Sequence, residues 1–116
     1  MHELILAIRA IIGEKPIVIM TPLNRGRTSA STYNPNTAEC NVNGDYMSDF
    51  VDALKAIGRF YSIPVLETGA VFNADPTKKV GTGQSTYFYD TLHPNDAGHA
   101  RLGKLLYNFC KNNILL

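Results

Sequence analysis

Tryptophan is absent from this chain, cysteine occurs only twice, and neither sign of charge is in excess. Each shortage excludes something. Eleven Lys and Arg against ten Asp and Glu leave a formal net charge of +1 over 116 residues, with 18% of the chain charged. Such a balance offers no basic stripe for nucleic acid, no acidic tail and no polybasic membrane patch. Cys40 and Cys110 stand far apart with no C-x-x-C spacing, so zinc and thioredoxin-like redox readings lack support. Two idle thiols are expected, with a disulfide between them as the alternative. No run approaches the roughly 20 apolar residues needed to span a bilayer, so a soluble chain with no transmembrane segment is expected. The apolar opening, Met1 to Ile12, carries Glu3 and Arg9 and ends at Gly13-Glu14-Lys15 without a small-residue cleavage site. It reads as a helix rather than a signal peptide.

What is present is a 45% apolar content, enough for the core of one domain at this length and too little for two. Leu4, Ile5, Ile8, Ile11 and Ile12 recur at spacings of three and four, predicting an amphipathic helix that Gly13 closes. After Pro16, the run Ile17-Val18-Ile19-Met20 has the short, continuous, β-branched character of a strand buried on both faces in a parallel sheet. From Leu23 to Gly44 the composition turns to Asn, Thr, Ser, Gly and Pro without a period, which predicts a long loop. A second helix is expected from about Asp45, its N-cap, to Tyr61, with Phe50, Val51, Leu54, Ile57 and Tyr61 on the buried face. Ile63-Pro64-Val65-Leu66-Glu67 then repeats the design of the first strand. Gly69 to Tyr89 reads as irregular, and a last helix runs from near Asn95 to about Asn112, burying Leu102, Leu105, Leu106 and Phe109.

The alternation predicts an α/β layer architecture with parallel strands and right-handed crossovers. Two strands are few for a parallel sheet, which normally has both faces covered and several members. The expectation is therefore a single domain over residues 1–116 that is truncated on its N-terminal side, the C-terminal part of a larger sheet.

Asp90 precedes His93 by three positions, and Pro94-Asn95 then opens a helix, so both side chains project from one tight loop. A carboxylate bonded to one imidazole nitrogen fixes the tautomer and leaves the other free to take a proton from a hydroxyl nucleophile. By spacing alone such a pair is most often a loop salt bridge or a helix cap. His99 lies six positions beyond His93, on no common helical face with it and without a Cys or carboxylate to complete a metal set, so it is expected to pack or cap. Gly98, unfavourable in a first helical turn, implies close packing against the sheet or a neighbouring loop. Arg25 and Arg27 read as solvated loop cations, with anion binding as the sharper alternative. Tyr87 and Tyr89 read either as an aromatic lid on the core or as one ring facing the site while the other packs inward.

The run Asp90-Thr91-Leu92-His93-Pro94-Asn95-Asp96-Ala97-Gly98-His99 resembles the final sequence block of the SGNH, or GDSL-type, hydrolase family. The order of elements ahead of it fits as well, so the resemblance spans essentially the whole chain. It implies a three-layer α/β/α sandwich of flavodoxin-like type with a parallel sheet, and cleavage of esters by a serine with help from histidine and aspartate. By position, His93 resembles the general base and Asp90 the residue that orients it. The serine of the Gly-Asp-Ser block and the glycine and asparagine of the next two blocks would precede the first helix, and this sequence has none of them. Ser29, Ser31, Ser48, Ser62 and Ser85 neither follow a Gly-Asp pair nor form a strand-to-helix elbow.

Two functions of different kinds follow. The first is the C-terminal catalytic half of an ester hydrolase acting on a small-molecule, carbohydrate or lipid ester, inactive until a missing N-terminal half supplies the serine and oxyanion donors. The second is a binding or self-association module kept for the surface of a truncated hydrolase fold. Neither calls for a cofactor or a metal.

Overall fold

The computed structural model describes residues 1–24, 43–76 and 85–114. Helix α1 (His2–Ile12) leads into strand β1 (Ile19–Met20), followed by α2 (Met47–Tyr61), strand β2 (Val65–Leu66), the short α3 (Thr68–Phe72) and α4 (Asp96–Asn113). The strands pair in parallel, Ile19 with Val65 and Met20 with Leu66. An α/β chain with a two-stranded parallel sheet results, as the alternation of helix and strand predicts. Beyond the paired residues, Ile19 N–H donates to Pro64 O and Thr21 N–H to Leu66 O, both at 3.0 Å.

Successive side chains of a strand point to opposite faces. Ile19 and its partner Val65 face one way, where buried Ile19 joins Ile5 of α1 and Ile63 in a core flanked by Ile17, Leu54, Ile57 and Tyr61. Residues of α1, α2 and both strand segments thus share one apolar nucleus. On the other face Leu66 is buried while Met20 is partly exposed. A second nucleus forms from fully buried Phe72 of α3 and Phe88, whose rings meet edge to face at 5.6 Å. Burying a Phe side chain stabilises by roughly 1.5–3 kcal/mol. Tyr61 clasps α1 to α2: its hydroxyl bonds His2 Nδ1 at 3.0 Å, and Arg9 Nη2 donates to its carbonyl at 2.9 Å.

Several boundaries differ from the sequence reading. The strands are two residues long rather than four and five, because parallel pairing extends only where both chains run side by side. Helix α2 starts at Met47 with Tyr46 as N-cap instead of Asp45. The Tyr46 N–H donates to Asp49 Oδ2 at 2.6 Å, and this bond from the first turn sets the start. The stretch after Gly69 is not wholly irregular, since α3 occupies Thr68–Phe72. Thr68 N–H donates to Thr21 Oγ1 at 2.9 Å, so a side chain from the end of β1 helps satisfy the start of that helix. On α1 only Ile5 is buried, while Leu4, Leu6 and Ile11 are exposed, Ile11 at 84%. Phe50 of α2 is also exposed, at the edge of the face expected to be covered. Gly13 closes α1 as expected, with a φ of 66° that a side chain would disfavour. Most of the predicted Leu23 to Gly44 loop lies outside the described residues. Among the described residues no helix is long and apolar enough to cross a membrane.

Candidate active site

The segment from Tyr87 to Asn95 doubles back on itself. Tyr89 N–H donates to His93 O and Asn95 N–H to Tyr87 O, both at 2.9 Å, and Phe88 and Pro94 form an antiparallel bridge. Asn95 then caps α4: its Oδ1 accepts from Gly98 N–H at 2.9 Å, and its Nδ2 reaches the carbonyls of Thr86 (3.2 Å) and Ser85 (3.4 Å). One side chain therefore starts the helix and ties the loop's outgoing strand to its incoming one. Gly98 sits beneath this turn, where a Cβ would run into the Tyr87 carbonyl oxygen and the Pro94 ring. The close packing expected of Gly98 is against the loop.

At the tip of this turn Asp90 and His93 meet. Asp90 Oδ2 lies 2.7 Å from His93 Nδ1, while Oδ1 accepts from the backbone N–H of Leu92 at 2.7 Å and of His93 at 2.6 Å. The bond from the His93 ring, then the two backbone N–H groups, hold the Asp90 carboxyl down from the ordinary 3.8 to about 2. Ionised at neutral pH, that carboxylate can only accept, so the proton of a neutral imidazole resides on Nδ1. Nε2 keeps its lone pair and is unbonded among the described residues, on a side chain 69% exposed. The turn packs through Phe88 on Phe72, the last residue of the helix that leaves the carboxyl end of β2. In open α/β sheets, ligands bind beyond the carboxyl ends of the strands.

The other candidates are dispersed. His99, expected to pack or cap, is exposed on α4 and its side chain does neither; its backbone N–H bonds Asn95 O in the first helical turn. Ser48 lies in the first turn of α2, Ser62 is the exposed left-handed C-cap of that helix, and Ser85 Oγ accepts from Tyr87 N–H at 3.3 Å. None hydrogen-bonds His93. Ser29, Ser31, Arg25, Arg27 and Cys40 lie outside the described residues, and Cys110 is a free, half-buried thiol. Among the described residues no cluster of His, Cys, Asp and Glu could hold a metal. Phe88, not a tyrosine, is the inward aromatic; Tyr87 lies half-buried on Phe72, and exposed Tyr89 donates its hydroxyl to Asp96 Oδ1 at 3.2 Å. The Asp96 charge and then this bond raise the Tyr89 phenol above its ordinary 10.0.

Three features escaped the sequence reading. Arg101 bridges α4 to α3, which no local pattern signals. Asn24 donates from Nδ2 to Gly69 O at 3.3 Å, closing one wall of a hollow of about 240 Å³ beyond the strand ends, lined also by Thr21, Ser48, Asp52 and Lys55. A larger cleft of about 650 Å³, walled by Gly13, Pro16, Ile17, Ser62 and Pro64, opens where both strand segments begin and takes no residue from the dyad.

No family model and no curated protein matches this chain. Solved structures do. A protein from Lactobacillus plantarum superposes with a TM-score of 0.76 at 21% identity, covering 98% of this chain and 52% of that one. The esterase domain of the ORF1 protein from the zebrafish ZfL2-1 retrotransposon gives 0.66 at 17%, covering 95% and 58%. A possible lipase from Chitinophaga pinensis gives 0.65 at 21%, covering 93% and 57%. The chain has an α/β fold that is found also in an esterase domain and a possible lipase. It spans little more than half the length of these three structures.

Proposed function

We propose that this chain supplies the histidine and aspartate of an SGNH, or GDSL-type, serine ester hydrolase, as the C-terminal part of its three-layer α/β/α domain. The observation that carries the reading is the Asp90–His93 pair, with Nδ1 bonded to the carboxylate at 2.7 Å and Nε2 unbonded on an exposed ring. In the reaction a serine from outside this sequence attacks the ester carbonyl carbon as its hydroxyl proton passes to His93 Nε2. The imidazolium, stabilised by Asp90, returns that proton to the departing alkoxide as the carbon–oxygen bond breaks. Water then attacks the acyl-serine carbonyl as its proton passes to the same nitrogen, and that proton goes on to the serine oxygen as the acyl–serine bond breaks and the acid leaves. Oxyanion donors would come from the same outside segment as the serine. The uncovered apolar side chains of α1 and the edge of β1, which pairs with no strand but β2 among the described residues, support a docking place for such a segment.

The experiment is a short-chain aryl ester assay on the chain alone and on the chain joined to, or mixed with, a polypeptide carrying a Gly-Asp-Ser block, including any encoded just upstream. Activity only in the joined state, abolished by His93→Ala, is expected. Activity of the chain alone that survives His93→Ala would sink the proposal. The same exposed faces favour a second reading, a self-associating module without catalysis. A stable homo-oligomer inert in both assays would establish it.

A further inference from the structure

Every hydrogen bond of the Asp90 side chain ends within three residues of it, at Leu92 and His93. The dyad's internal geometry is thus local, but its position relative to the sheet must be set by something else. The incoming strand carries Tyr87 and Phe88, both packed edge-on against Phe72 at 5.7 and 5.6 Å. Asn95 and Gly98 hold that strand to α4, but toward α3 ring contacts alone would leave it free to slide. Arg101, half-buried on α4, removes that freedom. Its guanidinium lies 5.5 Å from the Phe72 ring centroid and 5.0 Å from that of Tyr87, close enough for attraction to both. Its Nε donates to Phe72 O at 3.0 Å and its Nη1 to the Tyr87 hydroxyl at 3.4 Å. Phe72 is the last residue of α3, so Arg101 satisfies a carbonyl that the helix leaves without an internal partner. One planar cation joins three segments: α3 behind β2, the strand entering the loop, and the helix leaving it.

We infer that Arg101 is the positioning residue of this site, fixing where the Asp90–His93 loop stands relative to the carboxyl end of the sheet through Phe72 and Tyr87. The catalytic consequence rests on the hydrolase reading; the structural one does not. A lysine cannot replace it, because an ammonium lacks the planar fork that stacks on two rings while donating in two directions.

The test is by ¹H–¹⁵N NMR on the whole chain carrying Arg101→Met or Arg101→Lys. Expected are shifted amide signals for Tyr87, Phe88 and Asn95 and broadening at His93, with Ile5, Leu54 and Ile57 unmoved and the His93 Nδ1 proton signal retained. Arg101→Lys gives the same pattern at smaller amplitude, and Tyr87→Phe, which removes only the hydroxyl, affects residues 85–89 and Arg101 alone. Unchanged signals at 87–95 in Arg101→Met would overturn the inference, as would loss of dispersion across the whole spectrum in both Arg101 variants, which marks a general core role. In the serine-completed enzyme, misplacing the base lowers kcat by roughly 10²-fold at constant KM with the pH midpoint unmoved. If His93→Ala leaves that activity intact, the hydrolase reading fails while the NMR result on Arg101 still stands.

Discussion

Asp90 holds His93 at two points: Oδ2 on the ring nitrogen at 2.7 Å and Oδ1 on the backbone N–H at 2.6 Å. The ring bond selects the tautomer and the backbone bond fixes the turn that presents it. Replacing Asp90 by Asn keeps the shape but lets an amide donate to Nδ1, placing the imidazole proton on Nε2, where the proposed mechanism needs a base. In the serine-completed enzyme Asp90→Asn is expected to lower kcat by about 10⁴-fold, the scale known for the corresponding change in a serine protease. An unchanged rate would remove Asp90 from the mechanism.

The depressed Asp90 carboxyl has a definite sign in its pH dependence. Between about 2 and the ordinary 3.8 the folded chain binds fewer protons at this group than the unfolded chain does. Its contribution to stability is therefore fully present above the unfolded value and is lost as pH falls through about 2. Carboxyl ¹³C NMR should show Asp90 titrating near 2, moving toward the ordinary range in His93→Ala. A midpoint unaffected by His93→Ala would mean that the ring bond is not the main cause.

The reading from sequence succeeded where the cause was local. The helices were legible from apolar periodicity and the strands from short β-branched runs, the helix start near Asn95 from the Pro94-Asn95 pair, and the Gly98 packing from the conflict between glycine and a first helical turn. The Asp90–His93 contact was legible because its partners stand three positions apart. What escaped depends on contacts between distant segments. Five-residue α3 is too short to show a period and leans on Thr21, 47 residues upstream. Leu4 and Ile11 share a periodic stripe with Ile5, yet only Ile5 reaches the core, because a pattern states that a face is apolar and not what covers it. Arg101 looks in sequence like any helical cation.

Gly98 offers a stability test of the loop seat. A methyl group there meets backbone rather than a movable side chain, so Gly98→Ala is expected to destabilise by about 1–3 kcal/mol despite alanine's better helix propensity. Urea unfolding would check this. A stabilised variant would show that the helix and the Tyr87 strand can separate without cost.

Asn95→Ala removes both the cap on Gly98 N–H and the bonds to the Ser85 and Thr86 carbonyls. Cap loss alone costs about 1 kcal/mol. Asn95→Asp retains the acceptor and lacks the donor, so comparing the two variants by thermal unfolding separates helix start from loop closure. Equal losses in both would assign the residue's value to the donor side.

Solvent reaches most of the dyad, at side-chain exposures of 69% for His93 and 53% for Asp90. In bulk water two unit charges 4 Å apart attract by only about 1 kcal/mol, against about 4 kcal/mol at the effective dielectric of a partly enclosed protein site. A transition state in which an imidazolium and an oxyanion form together gains little in such surroundings. On the proposed hydrolase reading, the segment that brings the serine has a second task, to roof the dyad and displace water from His93 so that the charges created in the reaction feel one another.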